Sequence, residues 1–271
     1  RIEITKGAKS AAHGQTEGGI INIITKKSAN AGELQFTAGS NDRRQYNFNY
    51  GLQNPKLSLN MYANKAEQDA YLRNSDYDNE QAGFNLSYEL NNTDTLRVKY
   101  DHQQLKRGLV VQNVPGSADF DSRYPATPIG DSFANYQGKL PGDGSYTKIF
   151  RNNFNVSWNS NRTNGSDNIT YWKNYEKQRE HNVIGGQVIF DRYNVTDKSD
   201  GLMYKGSTKL NPKHYLGYGI DYKRLRYGYG WYNVGADKAG ALYPSQKMDL
   251  LGAYVEDSWK MDDRWTTNIG L

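Results

Sequence analysis

The sequence predicts an all-β chain, namely an antiparallel transmembrane β-barrel of about eleven strands. Apolar and polar residues alternate over most of residues 33–271, which is the pattern of strands with one apolar and one polar face. Clusters of Asn, Asp, Gly and Pro, the residues that tight turns require, separate the alternating stretches. The 22 tyrosines and the 13% aromatic content also suit a barrel with aromatic girdles at its membrane interfaces.

The first half of the chain contains five regular stretches of this kind. In these stretches, the residues between the apolar positions are mostly polar, chiefly Gln, Asn, Ser, Arg and Lys. The five stretches are predicted as strands over 34–38, 46–52, 57–63, 82–90 and 96–100. We expect Phe48, Leu59, Leu86 and similar residues to face lipid, while Asn49, Ser87 and their like face the lumen.

The second half continues the pattern less regularly. Its six predicted strands include residues 150–158, 169–175, 202–210, 216–222, 251–259 and 265–269. Trp259 and Trp265 lie beside a predicted turn, which favours a place in an interfacial aromatic girdle.

Short and long connections alternate along the chain. The predicted short turns are at 54–55, 91–94, 161–165, 211–213 and 261–263, and the predicted long loops are at 66–80, 107–147, 183–200 and 228–247. Outer-membrane barrels have short periplasmic turns and long extracellular loops, so this alternation favours a membrane barrel over a soluble β-rich carbohydrate-binding protein.

Composition excludes several other classes of protein. With a mean hydropathy of −0.90, the chain has no apolar run long enough for a spanning helix. The net charge of +5 is scattered, so nothing indicates nucleic-acid binding, and there is no cysteine. The four histidines are far apart and lack metal-ligand spacing, and no nucleophile, base and acid form a recognisable catalytic group. We therefore predict no metal site, no catalytic residues and no enzymatic activity.

Residues 1–27 differ from the rest of the chain. A short apolar strand ends in Lys6-Gly7, a stretch of small residues containing Gly14 follows, and Gly18-Gly19 then begins the run Gly-Gly-Ile-Ile-Asn-Ile-Ile-Thr-Lys, which includes Asn22. This order of residues resembles the end of the plug domain of the TonB-dependent outer-membrane receptors.

The resemblance implies a domain organisation and a location. Residues 1–31 would be the C-terminal end of the plug, and residues 32–271 the N-terminal half of a barrel in the bacterial outer membrane. Barrels of this class have 22 strands and a plugged lumen. About eleven strands could not close, and an open edge in hydrocarbon is unfavourable. The sequence is therefore expected to be truncated at both ends.

The resemblance also implies active transport of a scarce ligand. A ferric siderophore is preferred because it is the commonest cargo of the family, and cobalamin, haem and oligosaccharide remain alternatives. Energy would come from TonB and its inner-membrane complex, acting through an N-terminal box that this chain lacks. Other expected partners are outer-membrane lipid and lipopolysaccharide. No intrinsic cofactor is expected, and the ligand would be a metal chelate. A passive porin or adhesin barrel is the alternative from another class, although such barrels lack the Gly-Gly motif.

The long loops supply the candidate ligand residues. Arginine pairs with carboxylate or catecholate oxygen, and tyrosine and tryptophan provide rigid contact area. The same basic residues could instead contact lipopolysaccharide phosphates. The candidates are Arg107, Arg123, Tyr124, Tyr136, Arg179, His181, Arg224, Arg226, Tyr227, Tyr229 and Trp231.

Overall fold

The computed structural model describes residues 2–6, 19–23, 30–127, 141–229 and 243–271. Strands β1 (Ile2–Lys6) and β2 (Gly19–Ile23) form a two-stranded antiparallel sheet in which Lys6 is in register with Gly19 and Glu3 with Asn22. None of the described segments is a helix with the length and apolar character needed to cross a membrane.

A second sheet contains eleven antiparallel strands, each paired with its neighbours in the sequence. The strands are β3 (Ala31–Gly39), β4 (Arg43–Gln53), β5 (Leu57–Gln68), β6 (Tyr77–Glu89), β7 (Asp94–Gly108), β8 (Tyr146–Arg162), β9 (Gly165–Ile184), β10 (Gln187–Lys209), β11 (His214–Tyr229), β12 (Tyr243–Lys260) and β13 (Thr266–Gly270). The predicted strand number and antiparallel order are confirmed. In the described residues the sheet is open, with β3 and β13 at its edges.

One end of the sheet carries the five short turns that the sequence predicts. Four of them depend on an Asn or Asp side chain whose Oδ1 atom accepts hydrogen bonds from backbone amides two and three residues further on, at 2.7–3.1 Å. These residues are Asn54, Asn91, Asn211 and Asp262. Such side chains imitate a backbone turn, which explains why Asn and Asp occupy these positions.

The opposite end carries the longer connections, and here one prediction is wrong. Residues 183–200 are not a long loop, because β9 and β10 meet at the two-residue turn Gly185-Gly186, with φ angles of 58° and 75°. Two consecutive positive φ angles define the tight hairpin turn that glycine favours. The loops predicted at 66–80 and 107–147 are present but shorter, at 69–76 and 109–145. Most of the predicted 228–247 loop lies outside the described residues.

The register sorts the residues of the large sheet onto two faces. Leu52, Leu59, Leu86, Val98 and Val156 lie opposite one another on successive strands, on what we call the outer face. On the other side, the inner face, polar side chains form cross-strand hydrogen bonds. For example, the Asp101 carboxylate accepts bonds from the Tyr62 hydroxyl and, at 3.3 and 3.2 Å, from the amides of Gln81 and Asn153.

The apolar band on the outer face is tilted with respect to the strands. Leu52 of β4 and Tyr222 of β11 belong to one cross-strand row. The apolar residues of β4 run from this row towards the long-loop end, to Tyr46, whereas those of β11 run towards the short-turn end, to Leu216. Each run extends six residues from the row, in opposite directions, so the centre of the band shifts by six residues over the seven strand spacings from β4 to β11. This shift corresponds to a tilt of about 30°. Barrel strands have a similar tilt.

The sheet does not enclose a core of its own. Among the described hydrophobic residues only Val111 and Val183 are buried, and both lie at the long-loop end. Outer-face residues such as Leu34 and Leu251 are 83% and 74% exposed. An exposed apolar surface of this size has to be shielded from water, and lipid shields the outside of a membrane barrel.

Candidate functional site

The long-loop end of the sheet holds a rigid loop scaffold, which is centred on Asn113. This residue is fully buried, and its amide nitrogen lies 2.8–3.2 Å from the carbonyl oxygens of Asp121, Tyr124 and Pro125. Its side-chain oxygen accepts a bond from the Asp121 amide at 2.8 Å, and its backbone pairs with Thr127. One side chain thus organises residues 113–127 of the β7–β8 connection.

Arg73, in the β5–β6 connection, joins this loop to the barrel wall. Only 9% of the residue is exposed, and its guanidinium binds the Asp143 carboxylate through Nε (2.9 Å) and Nη2 (2.6 Å). Its Nη1 donates to the Asp119 carbonyl oxygen at 2.5 Å. The planar guanidinium fork suits such two-point binding, which a lysine could not reproduce.

The neighbouring Asn74 and Ser145 complete the attachment. Asn74 has a φ of 60°, and its side-chain amide donates to the carbonyl oxygens of Leu109 and Ser145, each at 2.7 Å. The Ser145 hydroxyl accepts a bond from the backbone amide of Val183 at the end of β9. The β5–β6 connection, the β7–β8 connection and β9 are therefore tied together at one end of the sheet.

The polarity of the two faces reverses near this end. In the middle of the sheet the outer face is apolar and the inner face polar. Towards the long loops, the outer face of β11 presents Arg224 and Arg226, whereas its inner face presents Leu225 and Tyr227. We call the apolar residues on the inner face of this region the apolar collar; they form two groups, Tyr77, Leu105 and Ile149 on β6–β8 and Leu225, Tyr227, Met248 and Leu250 on β11 and β12. Between the two groups the inner face of β9 and β10 is polar and carries Glu176, Gln178 and Asp197.

The collar is open to solvent within the described residues. Met248 is 56% exposed, Tyr227 44%, Leu250 43% and Leu225 38%. Leu225 and Met248 lie directly opposite each other on β11 and β12. Such apolar positions are unusual on a lumen-facing surface, because the interior of a wide barrel is polar. The collar therefore marks the inside of the barrel mouth as a surface suited to an apolar or aromatic partner.

Neither a protein-family model nor a curated protein sequence matches this chain. Solved structures do match it. One is the ferric-catecholate import receptor Fiu from E. coli K12 in its open form, with 15% identity, a TM-score of 0.67, and coverage of 99% of this chain and 48% of that one. The P. aeruginosa receptor FpvA, bound to heterologous pyoverdines, matches with 16% identity, a TM-score of 0.68, and coverage of 99% and 40%. The siderophore receptor PiuA from Acinetobacter baumannii matches with 15% identity, a TM-score of 0.65, and coverage of 99% and 46%.

The fold is that of a TonB-dependent receptor. The chain spans less than half the length of these three structures. At 15–16% identity the likeness concerns the fold, and the ligand has to be argued from the residues of this chain.

Within this TonB-dependent fold, the predicted ligand residues fall into separate groups. Arg107 at the end of β7 and Tyr227 on β11 lie on the inner face. Arg179 and His181 lie on the outer face of β9. Arg224 and Arg226, which were predicted to lie in a long loop, lie on the outer face of β11. Tyr229 ends β11, whereas Tyr136 and Trp231 lie outside the described residues.

Two of the candidates lie in the scaffolded loop. Arg123 is exposed, and its Nε and Nη2 atoms bind the Asp121 carboxylate at 2.9 and 2.6 Å. The hydrogen bond from Arg123 lowers the pKa of Asp121 to about 2. Tyr124 follows, with the Arg123 guanidinium 5.7 Å from its ring centre. The charge of Arg123 is thus largely matched within the loop.

On the outer face, Arg179 is also matched by an acid. Its guanidinium forms a two-point hydrogen bond with the Asp191 carboxylate on β10. The His181 ring stacks on Tyr146 at 4.9 Å. These contacts fix the positions of Arg179 and His181 on the outer face.

Of the plug-motif residues, Gly19 and Asn22 lie in β2, and Gly7, Gly14 and Gly18 lie outside the described residues. In the part of the chain that the structure describes, no three His, Asp or Glu side chains gather as a metal site would require. Sequence reasoning missed Arg73, Asn113 and the apolar collar. The alternation at 225–227 predicts the collar only if β11 is extended beyond the apolar band.

Proposed function

We propose that the protein to which this chain belongs takes up a ferric siderophore across the bacterial outer membrane, driven by TonB. In this proposal, residues 1–31 end the plug and residues 32–271 form the barrel wall that begins after it. The observation that carries the proposal is the apolar collar on the inner face at the long-loop end of the sheet, the end that also carries the scaffolded loop. Its tyrosines, leucines and methionine suit a ligand with aromatic or apolar surface, and Arg107 offers a cation to an anionic chelate.

The similar structures support this choice of ligand. They are a ferric-catecholate import receptor, a receptor with bound iron–pyoverdine and a siderophore receptor. Cobalamin, haem and oligosaccharide are the alternative cargoes of the same transport machinery. The barrel would perform no chemistry: it would bind the ligand from outside, and TonB with its inner-membrane complex would supply the energy that moves the plug.

A transport assay tests the function. The full-length protein is produced in a strain that lacks its own iron-chelate receptors, and uptake of radioactive iron is measured with catecholate, hydroxamate and mixed chelates. We expect uptake of at least one chelate, and we expect it to disappear when TonB is deleted. Uptake that continues without TonB would identify a passive pore, and uptake of haem or cobalamin in place of every chelate would refute the siderophore.

A pair of tyrosine variants tests the collar. Replacing Tyr227 with alanine removes an inner-face aromatic ring from the mouth, and we expect ligand affinity to fall about tenfold, corresponding to about 1.4 kcal/mol. The matched control is Tyr215→Ala, on the same strand and face but at the short-turn end. Calorimetric titration of both purified variants is the measurement. An equal loss in the two variants, or none in Tyr227→Ala, would contradict the placing of the ligand at the collar.

A further inference from the structure

The outer face just beyond the apolar band has an unusual arrangement of positive charge. On β10, β11 and β12, the residues Lys198, Arg226 and Lys247 lie directly opposite one another, so three cations stand side by side on adjacent strands. Like charges directly opposite each other destabilise a sheet. We call these residues the first triad.

The neighbouring row shows how such charges can be neutralised. Asp200, Arg224 and Asp249 lie opposite one another in the order acid, base, acid, and the Arg224 Nε donates to Asp249 at 3.1 Å. The first triad is two residues further towards the long loops and has no acid within its row. The Nε atom of Arg226 is buried and lacks a hydrogen-bond partner among the described residues.

A second triad repeats the arrangement on β7, β8 and β9. Lys106, Lys148 and Arg179 lie opposite one another, on the same outer face. Lys106 lies over the ring of Tyr146, 5.0 Å from its centre, and Arg179 is bound to Asp191. Lys148, between them, has a cation on either side. On the other side of Lys106 the row continues with two acids, Asp78 of β6 and Glu67 of β5.

The strand tilt brings the two triads to nearly one height. The row of Lys198 crosses β8 at Asn152, four residues from Lys148. The apolar band shifts by six residues over seven strand spacings. A line at constant height in the membrane therefore shifts by two to three residues, relative to a cross-strand row, between β8 and β11. The triads therefore lie within about 5 Å of one level, since a strand rises about 3.3 Å per residue.

This level carries a large net charge. Among the described side chains, the outer face of β7–β12 from the Asp200 row upwards has nine basic and three acidic residues. The basic residues are Lys106, Lys148, Lys173, Lys177, Arg179, Lys198, Arg224, Arg226 and Lys247, and the acidic ones are Asp191, Asp200 and Asp249. A band of cations directly above a lipid-facing apolar band is placed where the headgroups of the outer leaflet lie.

We propose that the two triads bind the phosphate groups of lipopolysaccharide, each triad receiving one phosphorylated headgroup. Phosphate oxygens would separate the side-by-side cations and give the buried Nε of Arg226 an acceptor. This proposal rests on the outer-membrane location in the proposed function. It also reassigns Arg226 and Arg179 from ligand capture to lipid contact.

Lipid A binding tests the proposal. The full-length protein is purified in detergent, and the amount of bound lipid A carrying both phosphates is measured by native mass spectrometry, together with the melting temperature. The first-triad variant replaces Lys198, Arg226 and Lys247 with glutamine. We expect it to lose one of the two bound lipid A molecules, with at least tenfold weaker binding at the first triad, and added salt to weaken wild-type binding. The matched control, which replaces Arg97, Lys99 and Lys223 with glutamine, removes the same charge from the inner face and should bind normally.

Two further probes separate the sources of phosphate. Dephosphorylated lipid A should bind the wild type more weakly than phosphorylated lipid A binds the variant, because it loses the phosphate contacts at both triads. Inorganic phosphate alone should not raise the melting temperature. Equal lipid A binding by the triad variant and the wild type, or full stabilisation by inorganic phosphate, would overturn the proposal. If the triple variant fails to assemble, Arg226→Gln and Arg226→Lys are compared, and only the glutamine variant should lose binding. If the wild-type protein binds lipid A as expected but shows no TonB-dependent uptake, the proposed function is contradicted and this proposal stands.

Discussion

Replacing Leu59 with arginine should destabilise the barrel by roughly 1–3 kcal/mol, because a basic side chain on the lipid face costs about 2–4 kcal/mol at mid-bilayer and less towards the interfaces. Leu59 lies on the outer face of β5, directly between Leu52 of β4 and Leu86 of β6, so an arginine there would have only apolar neighbours in its row. The measurement is the temperature at which the full-length protein loses its folded mobility on a gel, together with its yield in the outer membrane.

The adjacent residue provides the control. Asn60 lies on the inner face, opposite Gly51 and Asn85, and has no basic residue beside it in the row. Arginine at Asn60 should cost little, because the interior of such a barrel is polar. If both variants lost the same stability, the assignment of the two faces would be wrong. If Leu59→Arg lost none, the outer face would not be in lipid.

The fold was predictable because β5–β7 alternate without interruption and their turns contain an Asn at the required position. The β9–β10 hairpin was missed for an identifiable reason. Its register shifts between Val188 and Phe190 and again between Asn194 and Thr196. A β-bulge inserts an extra residue and changes the face on which each following side chain lies. The period of two is therefore broken where the strand continues, and the segment looks like a loop.

The candidate site was predictable by residue type but not by face. The residues 224–227 keep their alternation, with Arg224 and Arg226 on one face and Leu225 and Tyr227 on the other. Only the register reveals that the basic residues continue the lipid-facing side. The scaffold was beyond sequence reasoning, because Arg73 and Asp143 are 70 residues apart and no local pattern links them.

Replacing Asn113 with alanine should unfold the scaffolded loop without disturbing the strands. The change removes two buried N–H donors, which share three carbonyl oxygens, and one acceptor oxygen. At about 1 kcal/mol for each of these three groups, we expect a cost of about 3 kcal/mol. Local opening of residues 113–127 would become about a hundredfold more frequent. Hydrogen exchange detects this as faster exchange of the Asp121 and Thr127 amides, which are bonded to Asn113.

Asn113→Asp separates hydrogen bonding from packing. The aspartate has nearly the same shape, but its carboxylate has no N–H to donate and would face the carbonyl oxygens of Asp121, Tyr124 and Pro125. We expect an effect at least as large as that of alanine, and weaker siderophore binding in both variants because the loop stands beside the collar. Amides of β7 should exchange as in the wild type. If aspartate were tolerated while alanine was not, the loop would depend on the volume of Asn113 and not on its hydrogen bonds.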